Sequence, residues 1–319
     1  MYTRKLVKSG LSSNVIALPK EYIEDNDLKT GDTVYVDRQG KRQLVISPVT
    51  SVHTKKENAP KVKTIEVGKR PLHHVERDII EAYLKNYNEI IIEMNSASEA
   101  KIIKQYIGYL VAFEVVQEDT KRIIAKDFLN YGDRDVERGL RRIEHVVGSM
   151  LSDLNDVEND KSVAEAIIER DREVNRMGFL IMRILQVAAV DPRVAEMLGV
   201  DSLLIIRLWS VNIHLEKIGD ETKRIGRSLA RLSFSRKKRT IYNILDPIIT
   251  LYRNTFIAMH SDNRALLDTN MDTRERFIKT IDEYAETKEG KELADVVSLL
   301  RQILSHIGDI NRVKRYVGE

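Results

Sequence analysis

The chain has no cysteine, six prolines, fifteen glycines and only 6% aromatic residues. Without cysteine there are no disulfides, no thiolate zinc sites and no cysteine nucleophile, which suits a reducing compartment. No apolar run nears about eighteen residues and no charged-then-apolar leader is present, so the sequence predicts neither a membrane span nor a secretory signal. The expected location is cytoplasmic. A surplus of one charge is also missing: 52 Lys and Arg face 49 Asp and Glu, leaving +3. Nucleic-acid binding would therefore need a local patch rather than the whole molecule. There is no His-Glu-x-x-His, no Gly-x-x-x-x-Gly-Lys-Ser/Thr and no Gly-x-Ser-x-Gly, so nothing argues for an enzyme.

What is present is length, helix and an internal repeat. The 319 residues, 42% hydrophobic and 32% charged, suffice for two or three domains with real cores. Leu215-Glu216-Lys217-Ile218-Gly219-Asp220 returns in shorter form as Leu304-Ser305-His306-Ile307-Gly308-Asp309. A Leu, two other residues, then Ile-Gly-Asp, inside helical periodicity both times, reads as a duplication. At 100° per residue Leu208, Val211, Leu215, Ile218, Ile225 and Leu229 form one apolar stripe. Glu216 and Asp220 fall on the opposite side and are expected to point away from the main core contact. Two acids four apart on one face repel by a few tenths of a kcal/mol, so a cation belongs there. It is either Arg224 on a solvated face or a divalent metal shared with a neighbouring helix.

Taken in order, residues 1–48 read as strands Arg4 to Lys8 and Asn14 to Leu18, a short helical turn after Pro19, and strands Thr33 to Asp37 and Arg42 to Ser47. Fewer than fifty residues without cysteine build little core alone, so this unit is expected to dimerise or lean on the rest. A polar stretch from Val49 to about Lys61 reads as a linker. Residues 62–128 read as a small α/β unit: a strand over Val62 to Val67, a helix from Pro71 to Tyr87 and a strand over Glu89 to Met94. A helix from Ser98 to about Leu110 follows, with Ser98 as its N-cap, then strands over Phe113 to Gln117 and Arg122 to Asp127. No glycine-rich phosphate loop follows any of these strands. Residues 130–233 read as three long antiparallel helices, about Asp133 to Leu154, Lys161 to Val190 and Asp201 to Leu232. Arg236-Lys237-Lys238-Arg239 is a basic connector. Residues 240–319 form the second three-helix unit, with Asp246-Pro247 suggesting a helix start or kink.

Two resemblances follow from these residues. Arg4 through Leu18-Pro19-Lys20, Leu28-Lys29-Thr30-Gly31-Asp32, Val34, Val36 and Leu44-Val45-Ile46 resemble a SpoVT/AbrB-type swapped-hairpin domain. That resemblance implies a homodimer and DNA binding through Arg4, Lys5, Lys8, Lys20, Arg38, Lys41 and Arg42. Acidic neighbours leave the unit only mildly basic, and some domains of this type only dimerise. The tandem helical units, each ending in Leu-x-x-Ile-Gly-Asp, with the acid-rich Glu169-Arg170-Asp171-Arg172-Glu173 on the second helix, resemble the PhoU family. The combination resembles archaeal-type phosphate uptake regulators. The fold class expected is thus multidomain and mainly α: a hairpin β domain, a small α/β domain and two tandem three-helix bundles.

The PhoU resemblance implies acid pairs on adjacent helices that bind divalent ions. Carried over by position, these are Asp171, Glu216 and Asp220, with Asn175 as a weaker neutral ligand. Glu275 and Asp309 give a weaker second site, where Met271 and Ser305 replace the other acids. Oxygen ligands favour Mg or Mn, and Fe or Zn fit as well; His214 and His306 could add nitrogen. The expected function is a DNA-binding transcriptional regulator of phosphate homeostasis, with promoter DNA and a phosphate transporter or signalling protein as partners. The alternative is a PhoU-type adaptor that never touches DNA.

Overall fold

The computed structural model describes residues 2–10, 12–39, 43–48, 60–130, 135–231, 239–261 and 263–317, without the side chains of 37–39, 43, 239, 240 and 317. Lys41, Arg42, linker residues 49–59 and connector residues 236–238 lie outside the described residues. The chain separates into two compact units, Met1–Pro60 and Lys61–Glu319.

In the first unit β1 (Val7–Ser9) pairs antiparallel with β2 (Ser13–Val15), Val7 opposite Val15. Gly10 holds a φ of +74° in the turn between them, which only glycine adopts without strain. A short helix, α1 (Lys20–Asp25), follows Pro19, whose fixed φ suits a helix start. The hairpin of β3 (Val34–Gln39) and β4 (Gln43–Pro48) pairs Val36 with Ile46. Tyr22 Oη donates to the Ile46 carbonyl at 2.8 Å and so ties α1 to β4. Leu6, Val7, Val15, Ile16, Val36 and Leu44 are all exposed. The unit therefore has almost no interior of its own, as its length predicts.

The second unit begins with a four-stranded sheet in the order β5 (Val62–Glu66), β6 (Glu89–Glu93), β8 (Arg122–Asp127), β7 (Phe113–Glu118). β5 and β6 are parallel, joined by α2 (Leu72–Leu84); the β6–β8 and β7–β8 pairs are antiparallel. α3 (Ala97–Gly108) links β6 to β7, with Ser96 rather than Ser98 in the N-cap position. Period-2 alternation buries Ile90 and Ile92, which pack with Ile65, Ile79, Tyr83, Ile103 and Phe113.

Long helices make up the remainder. α4 (Val136–Asp153) starts at Asp135, whose Oδ1 accepts from the Arg138 amide. After one 3-10 turn come α5 (Ser162–Val190), the short α6 (Pro192–Met197) and α7 (Ser202–Arg231). α8 (Arg239–His260), α9 (Arg264–Glu286), the short α10 (Lys288–Glu292) and α11 (Ala294–Val317) form the second set. Pro247 lies inside α8 and does not begin a helix. It removes one amide from the ladder, a loss that packing of Ile248, Leu251 and Tyr252 in the core offsets.

One continuous apolar core runs through both helix sets, from Val136 to Ile310. The motif helices α7 and α11 pack antiparallel: Ser228 Oγ donates to Asp295, while His214, near the other end of the contact, meets His306. The α/β layer is fastened to α5 by Arg183, which is fully buried. Its guanidinium makes two hydrogen bonds to Asp127, at 3.0 and 2.6 Å, and two to Asn86 Oδ1, and lies 4.4 Å from the centre of the Tyr83 ring.

Candidate functional site

Gly219 and Gly226 have no side chain to keep α7 away from α5. A Cβ on Gly219 would lie 3.5 Å from Val174 and 3.7 Å from Asp171 Oδ1. Packing of α7 on α5 here brings Asp171 and Asp220 together around Lys223. Asp171, on α5, is 2% exposed. Lys223 Nζ donates to Asp171 Oδ2 and to Asp220 Oδ1, both at 2.6 Å. The cation expected beside Asp220 is thus Lys223, three residues on, and not Arg224, which is exposed. Glu216 is partly buried and close enough for its charge to couple with Asp171 and Asp220. The two motif acids therefore stand over α5 rather than pointing away into solvent.

Burial sets the electrostatics of this cluster. It pushes the Asp171 carboxyl up, an effect Lys223 only partly counters, and it pushes Glu216 up as well. Burial opposes the charge of Lys223, but its two carboxylate partners outweigh that and hold the ammonium above the ordinary lysine value. Asp171 Oδ1 and Asn175 Oδ1 are buried oxygens with no hydrogen-bond partner. Asn175 Nδ2 donates to Asp171 Oδ2 at 3.4 Å, which leaves its oxygen free to accept a cation. Asp171, Asn175, Glu216 and Asp220 offer oxygen donors of the kind a hard divalent ion takes, but Lys223 holds Asp171 and Asp220, and the three carboxylates do not come within 4.8 Å of one another.

The second repeat brings together different residues. Glu275 is exposed on α9, whereas Asp309 is half-buried on α11 and pairs with Arg312. The place beside Gly308 is taken by Arg274, whose Nε donates to the Leu304 carbonyl at 2.7 Å. A Cβ on Gly308 would meet that Nε at 2.5 Å. A guanidinium thus stands there, with Met271 in place of an acid, beside the Glu275 and Asp309 expected as a weaker second site.

Sequence reasoning named His214 and His306 only as possible added nitrogen donors and missed the grouping they make with Glu221. Glu221 is 4% exposed, so the acid next to Asp220 faces the interior between α7 and α11. His214 Nδ1 and His306 Nδ1 stand 3.1 Å apart, and His306 Nε2 is 3.3 Å from Glu221 Oε1. The signal was present in the two histidines, but pairing residues 92 positions apart requires the packing of α7 on α11.

Of the residues expected to meet DNA, Arg4, Lys5, Lys8 and Lys20 are exposed. Arg4 lies over the Tyr2 ring, and Lys20 pairs with Glu24 at 3.2 Å. Arg38 has its backbone in β3.

No described helix is long and apolar enough to cross a membrane. No curated protein matches the chain. Among solved structures, the chain is similar to the phosphate transport system regulatory protein PhoU from Streptococcus pneumoniae, at 16% identity and a TM-score of 0.45 over 57% of this chain and 92% of that one. It is also similar to PhoU from Pseudomonas aeruginosa, at 21% identity and a TM-score of 0.42 over 57% of this chain and 91% of that one. The family model described as PhoU domain matches residues 140–229, which run from Leu140 in α4 through Leu229 near the end of α7 and contain all four residues of the acid cluster.

Proposed function

We propose that the chain regulates phosphate homeostasis, with its helical repeats as the sensing and partner-binding module. The observation that carries this reading is the PhoU domain match over residues 140–229, in the repeat that holds Asp171, Glu216 and Asp220 on facing helices. A divalent ion of the Mg, Mn, Fe or Zn group is held by Asp171, Asn175, Glu216 and Asp220 in exchange for Lys223. Its capture displaces the Lys223 ammonium from the Asp171 and Asp220 carboxylates. The helical surface engages a phosphate transporter or signalling protein.

The N-terminal unit supports a dimer that binds DNA. Leu6, Val7, Val15, Ile16, Val36 and Leu44 expose apolar area that a second copy of the hairpins covers. Arg4, Lys5, Lys8 and Lys20 are the described cations available to phosphates, joined by Arg38, Lys41 and Arg42. Transcriptional control follows if the two states of the repeats place the paired units differently. The adaptor reading is favoured by one feature, the weak positive balance of residues 1–48, where Glu21, Glu24, Asp25, Asp27, Asp32 and Asp37 offset the cations.

Binding of the purified chain to its own promoter region across a salt series decides between the two. The regulator gives a saturable, sequence-preferring complex that disappears on removal of residues 1–48. Equal and weak binding of both proteins to any DNA rejects the operator and leaves partner capture by the repeats.

A further inference from the structure

Among the described residues, one group of three His, Asp or Glu side chains has all its ligand atoms within 4.8 Å of one another: His214, His306 and Asp309. It lies between α7 of the first repeat and α11 of the second, on a different contact from the Asp171 cluster. The two Nδ1 atoms are 3.1 Å apart, and Asp309 Oδ2 is 3.9 Å from His214 Nδ1. Ligands on a tetrahedral zinc ion with bonds of about 2.0–2.1 Å sit roughly 3.3–3.4 Å from one another. The nitrogens are already near that spacing, and a small rotation of Asp309 closes the third edge.

The surroundings are those of a ligand set rather than of a chance contact. His306 turns its other nitrogen to Glu221 Oε1 at 3.3 Å. Metal-bound histidines are commonly oriented by a carboxylate beside the ring nitrogen that does not bind the metal, and Glu221 stands in that place. Glu221 is 4% exposed and its Oε2 has no hydrogen-bond partner, so this buried carboxylate meets no lysine or arginine among the described residues. Arg312 takes Asp309 Oδ1, which leaves Oδ2 as the oxygen on the histidine side. The nearby charges are Asp309, Arg312 and Glu221.

We propose that His214 Nδ1, His306 Nδ1 and Asp309 Oδ2 bind one borderline divalent ion of the zinc class, with Glu221 orienting His306. Two imidazoles and one carboxylate select such an ion over magnesium or calcium, which prefer oxygen donors. The three ligand side chains are between 20% and 29% exposed, so water occupies the fourth position. The ion joins the two repeats across their shared contact. This site stands independently of the regulatory reading, because its ligands come from neither residues 1–48 nor the acid cluster.

The test uses the full chain, stripped with chelator and titrated with zinc against a chromophoric competitor at pH 7.5. The expected result is one tight zinc per chain, weakened at least about 100-fold by His214→Gln or His306→Gln and about 10- to 100-fold by Glu221→Gln. Asp171→Asn should leave this zinc untouched. Cobalt substitution supplies a readout on the unaltered chain: absorption bands of a four- or five-coordinate ion, absent from His306→Gln. Zinc should also raise the thermal midpoint of the wild type and not that of His306→Gln. The proposal is overturned if both histidine variants bind zinc like the wild type, if Asp171→Asn alone removes the ion, or if the wild type takes up no zinc at micromolar concentration.

Discussion

Lys223→Met is the substitution that most directly tests the acid cluster. It keeps the length and apolar stem of the lysine but removes two charge-assisted hydrogen bonds of 2.6 Å. The Asp171 side chain is 4% exposed, so breaking this buried pair costs about 3–5 kcal/mol while Asp171 stays ionised. The Asp220 arm, with its carboxylate about a third exposed, adds less than about 1 kcal/mol. Asp171 has a way to relieve the penalty: burial already raises its pKa, and loss of the lysine raises it further. An acid whose folded pKa is raised contributes most stability below its unfolded value, here 3.8, and loses it as pH rises through the folded value. The variant should therefore track the wild type near pH 4 and fall behind by about 3 kcal/mol at pH 7. Urea denaturation followed by circular dichroism at both pH values measures the gap. With the competing ammonium gone, millimolar Mn²⁺ should restore much of the loss at pH 7 and do little for the wild type. A gap under about 1 kcal/mol at pH 7, or one that widens towards acid pH, refutes the reasoning.

Three further outcomes follow from the same geometry. Arg183→Ala strands Asp127 and Asn86 between the α/β layer and α5, and should lower stability by about 3–5 kcal/mol in the same urea assay; Arg183→Lys, without the planar fork, should recover less than half of that. Gly219→Ala meets only ordinary contacts and should be neutral or stabilising by up to about 1 kcal/mol, whereas Gly308→Ala must push Arg274 off the Leu304 carbonyl and should lose about 1 kcal/mol net, both read as shifts in thermal midpoint. Under the proposed operator reading, removing Lys5 or Lys8 should weaken DNA binding to all sequences alike and reduce the salt slope by about one, measured by fluorescence anisotropy.

Much of the helical architecture was legible because its signals are local. The apolar stripe of Leu208, Val211, Leu215, Ile218, Ile225 and Leu229 is fully buried, and the three long helices of the first repeat lie within a few residues of their expected limits. The short helix over Pro192–Met197 falls in the gap between the expected helices, because six residues leave too few turns for periodicity. What escaped were the polar partners across helices. Lys223 reads in sequence as one more charge on a mixed surface, and only the α5–α7 approach at Gly219 makes it the counterion of Asp171. Arg183 sits in an apolar stretch, and its partners lie 56 and 97 residues earlier. Glu216 and Asp220 do turn away from the stripe of their own helix, and the neighbouring helix offered as one alternative is α5, but Lys223 rather than a metal or Arg224 stands between the acids.

The duplication explains why the two repeats offer different chemistry from one scaffold. In both, the motif aspartate pairs with a cation three residues on: Asp220 with Lys223, Asp309 with Arg312. In the first repeat the second helix supplies Asp171, so the lysine is shared and the acids gather on the α5 side of α7. In the second, Met271 stands where an acid would be and Arg274 fills the space beside Gly308, so positive charge replaces the acid cluster. Asp309 then keeps one oxygen on Arg312 and has the other on the side of His214, where His306 replaces the lysine of the first motif copy. Antiparallel packing of α7 on α11 brings the altered copy against the original, and that contact is where the histidines meet. A cation at the acid cluster acts within one repeat, whereas one at the histidines acts between the two. Loading the two sites separately, with Mn²⁺ into Lys223→Met and Zn²⁺ into the wild type, should therefore protect different helices from hydrogen exchange: α5 and α7 in the first case, α7 and α11 in the second.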